Sequence, residues 1–121
     1  MALILIIDDD AQIRDVLRRM LEPAGHDVIE AADGVDGIRA YREKPADLII
    51  TDLIMPKKEG VELIMELKME FPDVKIIAIS GGGRIGPETY LEVAEGFGAM
   101  RTFTKPFRIK NLLKTISELL G

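Results

Sequence analysis

The segment Leu3-Ile4-Leu5-Ile6-Ile7-Asp8-Asp9-Asp10 decides how the chain is read. Five consecutive apolar residues leave no polar alternate, so the strand they form is covered on both faces, as in the middle of a parallel sheet. The run is too short to span a membrane, no basic segment precedes it and three aspartates follow, so it is not a signal peptide. Working outward, Ile13, Val16, Leu17, Met20 and Leu21 keep helical spacing, Arg14, Arg18 and Arg19 fall elsewhere on the wheel, and Gly25 stops the helix. The alternation then repeats. Val28 and Ile29 mark a second strand, Val35, Ile38 and Tyr41 a second helix ending before Pro45, and Leu48 to Ile50 a third strand. A helix around Val61, Leu63, Ile64 and Leu67 leads to a fourth strand, Val74 to Ile79. After Gly81, Gly82 and Gly83 come a helix near Tyr90, Leu91 and Val93, a fifth strand around Ala99 to Thr104, and a last helix carrying Ile109, Leu112, Leu113, Ile116 and Leu120.

Five strands alternating with five helices predict right-handed crossovers and an α/β doubly wound, five-stranded parallel sheet. A length of 121 residues fits one domain, 1–121, with a core that needs no staple. The absence of cysteine excludes disulfides and thiolate chemistry and agrees with a cytoplasmic location. With 16 basic against 21 acidic residues the net charge is −5, which argues against a direct nucleic-acid surface or an anionic-membrane surface.

In such sheets ligands bind beyond the carboxyl ends of the strands. Those ends carry Asp8, Asp9 and Asp10, then Thr51 and Asp52, then Ser80, then Thr104, Lys105 and Pro106. Each has an ordinary explanation alone: Asp10 as a helix N-cap, Asp52 or Ser80 as the start of a turn, Lys105 as a solvated charge. Together they differ, because parallel neighbours about 4.8 Å apart bring Asp8, Asp9 and Asp52 close. Clustered carboxylates need a cation, and hard oxygen donors with no cysteine and a single histidine select Mg2+ or Mn2+ over zinc. Magnesium shares its shell with phosphate oxygens. Lys105 and Ser80 would then meet phosphoryl oxygens, and one carboxylate would be free to act as nucleophile.

With Asp8 and Asp9 after the first strand, Asp52 in Asp-Leu-Ile-Met-Pro, Ser80 ending strand four and Lys105 in Lys-Pro-Phe, the chain from Leu3 to Leu120 resembles the receiver domain of two-component response regulators. The resemblance implies a flavodoxin-like fold with strand order 2-1-3-4-5. It implies that Asp52 is the phosphoacceptor, modified by a histidine kinase, a histidine phosphotransfer protein or an acyl phosphate. Asp9, Asp52 and the backbone carbonyl of Ile54 would bind magnesium directly, with Asp8 acting through a water, and Ser80 and Lys105 would each hold one phosphoryl oxygen. Ile54 and Gly82 would tune the lifetime of the phosphoryl group. Such a protein catalyses only its own phosphorylation and dephosphorylation. An effector domain or a second copy would dock on the surface of the fourth helix, fifth strand and last helix. One position departs: Thr102 stands where many members carry an aromatic that swings inward. Phe103 is one residue off and so on the opposite face. It reads as a core residue under a helix, with Tyr90 available to take over part of the aromatic's role.

Three alternatives stand beside this. Asp8 and Asp10 resemble the Asp-x-Asp motif of haloacid-dehalogenase-type phosphohydrolases, although those are larger and would leave Asp52 unexplained. The fold also suits a flavodoxin-like cofactor binder, against which the acidic first loop argues, or a docking module independent of phosphorylation. His26 reads as a surface residue, and Met65 with Met69 as a widened core face. The three glycines lack the Gly-Lys-Ser/Thr of a nucleotide loop.

Overall fold

A computed structural model of the protein describes residues 2–53, 60–80, 96, 98–104 and 107–120. Its elements in order are β1 (Leu3–Ile7), α1 (Ala11–Leu21), β2 (Asp27–Ala31), α2 (Gly34–Glu43), β3 (Leu48–Asp52), α3 (Gly60–Glu70), β4 (Ile76–Ser80), β5 (Arg101–Thr104) and α4 (Ile109–Leu120). The strands form one parallel sheet in the order β2-β1-β3-β4-β5, as expected. The described residues hold four helices. The additional helix read near Tyr90, Leu91 and Val93 lies outside them.

Strand alternation divides the core into two layers. Leu5, Ile7, Ile49, Ile76 and Ala78 face α2 and α3, where Ile38, Tyr41, Leu63, Ile64 and Leu67 pack on them. Ile4, Ile6, Leu48, Ile50, Ile77 and Ile79 face α1 and α4 through Leu17, Leu21, Leu112 and Ile116. Ile4 to Ile7 are all fully buried. At about 1.5–3 kcal/mol per buried aliphatic side chain, these four residues contribute substantially to the fold, which is why the apolar run is so legible.

Several boundaries and environments differ from the sequence reading. Strand β4 runs from Ile76 to Ser80 rather than from Val74 to Ile79. Val74 is buried, but its N–H is used in a turn to the Phe71 carbonyl. Strand β5 starts at Arg101, not Ala99. Helix α1 ends at Leu21, and the following turn is closed by Gly25, whose φ of 96° lies in the left-handed region that glycine tolerates. Val16 and Val35 sit on the solvent side of their helices. Met65 and Met69 do not widen the core, since Met69 is 83% exposed. His26 is half-buried rather than on the surface: its N–H bonds back to the Leu21 carbonyl, and its Nδ1 is shielded from solvent.

Candidate functional site

The register of the two central strands builds the site. Ile7 of β1 lies opposite Thr51 of β3, so one step further toward the carboxyl edge Asp8 comes beside Asp52. The next residue, Asp9, completes a cluster in which one carboxylate oxygen from each aspartate lies within 4.8 Å of the others. Asp8 and Asp52 are buried and Asp9 is exposed, so the cluster opens to solvent on the Asp9 side. Three hard oxygen donors without nitrogen or sulfur fit magnesium or manganese, which complete their shells with waters and phosphate oxygens.

Local hydrogen bonds fix the β1 end of the cluster. The Asp8 N–H donates to the Ala31 carbonyl at 3.1 Å, and Asp8 Oδ1 accepts from the Asp10 N–H at 2.9 Å. Asp10 itself is the N-cap of α1, its Oδ1 accepting from the Gln12 N–H at 2.8 Å. Asp10 is not among the three aspartates whose carboxylates converge. On β3, the Asp52 carbonyl accepts from Thr51 Oγ1 at 2.9 Å, and the Leu53 N–H donates to the Ile79 carbonyl. Helix α3 returns to the same spot: the Gly60 N–H donates to the Leu53 carbonyl at 2.8 Å.

Ser80 follows Ile79, the residue paired with Asp52, so it stands one step further along the neighbouring strand. It is fully buried, and its hydroxyl has no hydrogen-bond partner among the described residues. An unpaired buried hydroxyl costs about 1–3 kcal/mol, an expense that an incoming acceptor oxygen would remove. Lys105, Ile54 and Gly82 lie outside the described residues. Thr102 pairs with Ala78 on the α2/α3 face of the sheet, whereas Phe103 pairs with Ile79 on the other face. There Phe103 packs against the α1/α4 core, its ring 6.0 Å from that of Phe107.

Two participants escaped the sequence reading. Arg14, seen only as part of a polar helix face, donates from Nη1 to the Asp8 carbonyl at 2.6 Å and from Nε to Glu30 at 3.0 Å. Glu30 also accepts from Arg18 Nε at 2.6 Å. Burial pushes the Glu30 carboxyl up, but hydrogen bonds from Arg18 and Arg14, together with their charges, outweigh burial and hold it below its ordinary value. The available signal was the i, i+4 arginine pair on α1 beside an acidic residue on the strand that follows. A separate cavity of about 460 Å³ lies at the opposite, amino edge of the sheet, lined by His26, Asp47, Asp73 and Lys75 among others. Asp47 there accepts from the Leu3 N–H, and Lys75 donates to the Leu119 carbonyl.

Topology and carboxylate cluster together define a doubly wound α/β domain with an acidic site, able to hold a metal ion, at the carboxyl edge of its sheet. Residues 4–117 match the family described as Response regulator receiver domain, and the chain belongs to that family. It is 36% identical over 120 residues to the DNA-binding transcriptional regulator NtrC of Azospirillum brasilense, covering 99% of this chain and 24% of that protein. It is 32% identical over 117 residues to the chemotaxis protein CheY of Halobacterium salinarum, covering 97% and 95% of the two chains. Of the sensor kinase CckA of Brucella abortus it spans 12% of the length. Among solved structures, a response regulator receiver domain protein from Clostridium thermocellum superposes with a TM-score of 0.91 at 30% identity, over 99% of this chain and 94% of that one. Among the described residues, no helix is long and apolar enough to cross a membrane.

Proposed function

We propose that the chain acts as a magnesium-dependent phosphoacceptor in a two-component pathway, with Asp52 the residue modified. The observation that carries this is the convergence of Asp8, Asp9 and Asp52 at the carboxyl edge of the sheet, all within 4.8 Å. Asp9, Asp52 and the Ile54 carbonyl would hold Mg2+, or Mn2+, with Asp8 beside them, and the cation would supply neutralisation of the phosphoryl charge.

A carboxylate oxygen of Asp52 attacks the phosphorus of the donor in line. The P–N bond of a phosphohistidine, or the P–O bond of an acyl phosphate, breaks, and its electron pair leaves with the imidazole or the carboxylate. An aspartyl phosphate remains. Phosphoryl transfer asks little covalent chemistry of the protein beyond positioning and charge stabilisation. Ser80 would donate a hydrogen bond from its hydroxyl to one phosphoryl oxygen and Lys105 one from its ammonium to another, so both side chains would register the new charge. By residue type, the bulky apolar Ile54 would hinder an attacking water and Gly82 would offer no group to orient one, so neither would activate it.

The donor is a histidine kinase or a histidine phosphotransfer protein in the cytoplasm, and residues 1–121 act as one unit. An effector domain or a second copy would dock on a face that includes β5 and the last helix, with Thr102 contributing little to the switch. The protein transforms itself and no other substrate. Incubation with p-nitrophenyl phosphate and acetyl phosphate tests this: no sustained phosphate release is expected from the former, and one labile phosphoryl group per chain from the latter. Steady turnover of many phosphomonoesters would overturn it in favour of a hydrolase.

A further inference from the structure

We propose that Arg14 is a positioning residue for the acidic site, holding the Asp8–Asp9 main chain at the distance from Asp52 that a divalent cation requires. The inference rests on the reading of Asp8, Asp9 and Asp52 as the cation site. Arg14 lies one turn into α1, its own N–H bonded to the Asp10 carbonyl, so its stem leaves the helix directly beside the β1 end. Its guanidinium divides its donors between two targets. Nη1 bonds the Asp8 carbonyl at 2.6 Å, and Nε bonds Glu30 Oε1 at 3.0 Å on the neighbouring strand β2. The Arg14 side chain is only 18% exposed, which preserves the strength of a charge-assisted bond to the carbonyl. A planar fork with fixed donor geometry holds the Asp8 carbonyl while its Nε stays engaged by Glu30, which a single flexible ammonium does not do.

The same network contains its own control. Arg18 also binds Glu30, at 2.6 Å, and reaches the Val28 carbonyl at 3.2 Å. Both arginines therefore staple α1 to β2, but of these bonds only the one from Arg14 ends on a residue of the carboxylate cluster. If the network served stability alone, the two arginines would be interchangeable in their effects. If Arg14 positions the site, they separate. The groups that hold metal ligands in place from outside contribute about 10-fold or more in affinity, and the lower end suits a weak, water-rich site.

The experiment measures Mn2+ binding to the metal-free protein by calorimetry, beside urea unfolding and amide exchange, for wild type, Arg14→Met, Arg14→Lys and Arg18→Ala. Methionine keeps the packing of the stem and removes the donors. Arg14→Met should weaken Mn2+ binding about 10-fold and speed amide exchange at Asp10, whose N–H depends on Asp8. Arg14→Lys, which retains a charged donor for the carbonyl, should recover part of that loss. Arg18→Ala should lower stability comparably while leaving affinity and Asp10 exchange as in wild type. Equal affinities in wild type and Arg14→Met, or equal losses in Arg14→Met and Arg18→Ala, would overturn the role of Arg14 alone. Absence of Mn2+ binding in the wild type would overturn the cation site and this inference together. If Arg14→Met does not fold, the comparison of Arg14→Lys with Arg18→Ala decides: an affinity loss confined to the former supports positioning, and none refutes it.

Discussion

Replacing Gly60 with alanine probes how the start of α3 sets the position of Asp52. A Cβ at residue 60 would lie 2.5 Å from the Asp52 carbonyl oxygen and 2.5 Å from the Leu53 Cα. Non-bonded heavy atoms rest at about 3.5 Å, so one partner must retreat by about 1 Å. Both obstacles are main chain of the strand end that carries Asp52, and no rotamer change absorbs the clash. Overpacking costs about 1–3 kcal/mol, and Gly60 opens the helix, where the interior preference for alanine gives little in return; the variant should still fold. The carboxylate, however, moves with its backbone, and a displacement of about 1 Å in a reacting group costs about 100-fold in rate. Time courses of acetyl phosphate labelling, followed by intact mass beside urea melts, should therefore show Gly60→Ala folded but labelled about 100-fold more slowly. Gly96→Ala, where a Cβ meets nothing within 4 Å, should keep the wild-type rate. A wild-type labelling rate in Gly60→Ala would refute the reasoning.

Two further outcomes concern the scaffold. The Glu30 carboxyl is held below its ordinary value in the folded state, so its contribution is complete above the unfolded glutamate range and disappears as pH falls through the lowered folded value. Glu30→Gln should be about 1 kcal/mol less stable than wild type at neutral pH, with the gap closing in acid urea melts; a gap that widens on acidification contradicts the sign. Phe103→Ala should cost about 2–3 kcal/mol because its ring packs in the α1/α4 core, whereas Thr102→Ala on the opposite face should cost about 0.5 kcal/mol, and equal losses in unfolding titrations would contradict the face assignment.

What was legible in the sequence follows from what each residue's environment demands. Leu3 to Ile7 announce a central strand because nothing polar survives on either face, and Asp8 directly after them is conspicuous because burying a carboxylate at a strand end needs a compensating charge. Asp10 was legible as an N-cap because capping is local. The start of β4 was misplaced because burial at Val74 imitates a strand while its N–H serves a turn, and hydrogen-bond partners leave no trace in hydropathy. Met65 and Met69 lie one turn apart beside an apolar stripe, and spacing alone does not reveal that the edge of the stripe faces solvent. The Arg14 link to Asp8 joins a helix side chain to a main-chain carbonyl, a pairing with no residue-type signature. Most of the acidic site could be read because it uses side chains at strand ends; what holds it in place uses backbone.

The central claim is that Asp52 accepts a phosphoryl group at a cation-dependent carboxylate site. Intact and peptide-level mass spectra after incubation with acetyl phosphate and Mg2+ test it directly, for wild type and Asp52→Asn, with and without chelator. A single phosphoryl group per wild-type chain is expected, mapped to Asp52 and abolished both by Asp52→Asn and by chelation. Labelling that persists in Asp52→Asn, maps to another residue or ignores the chelator would contradict it.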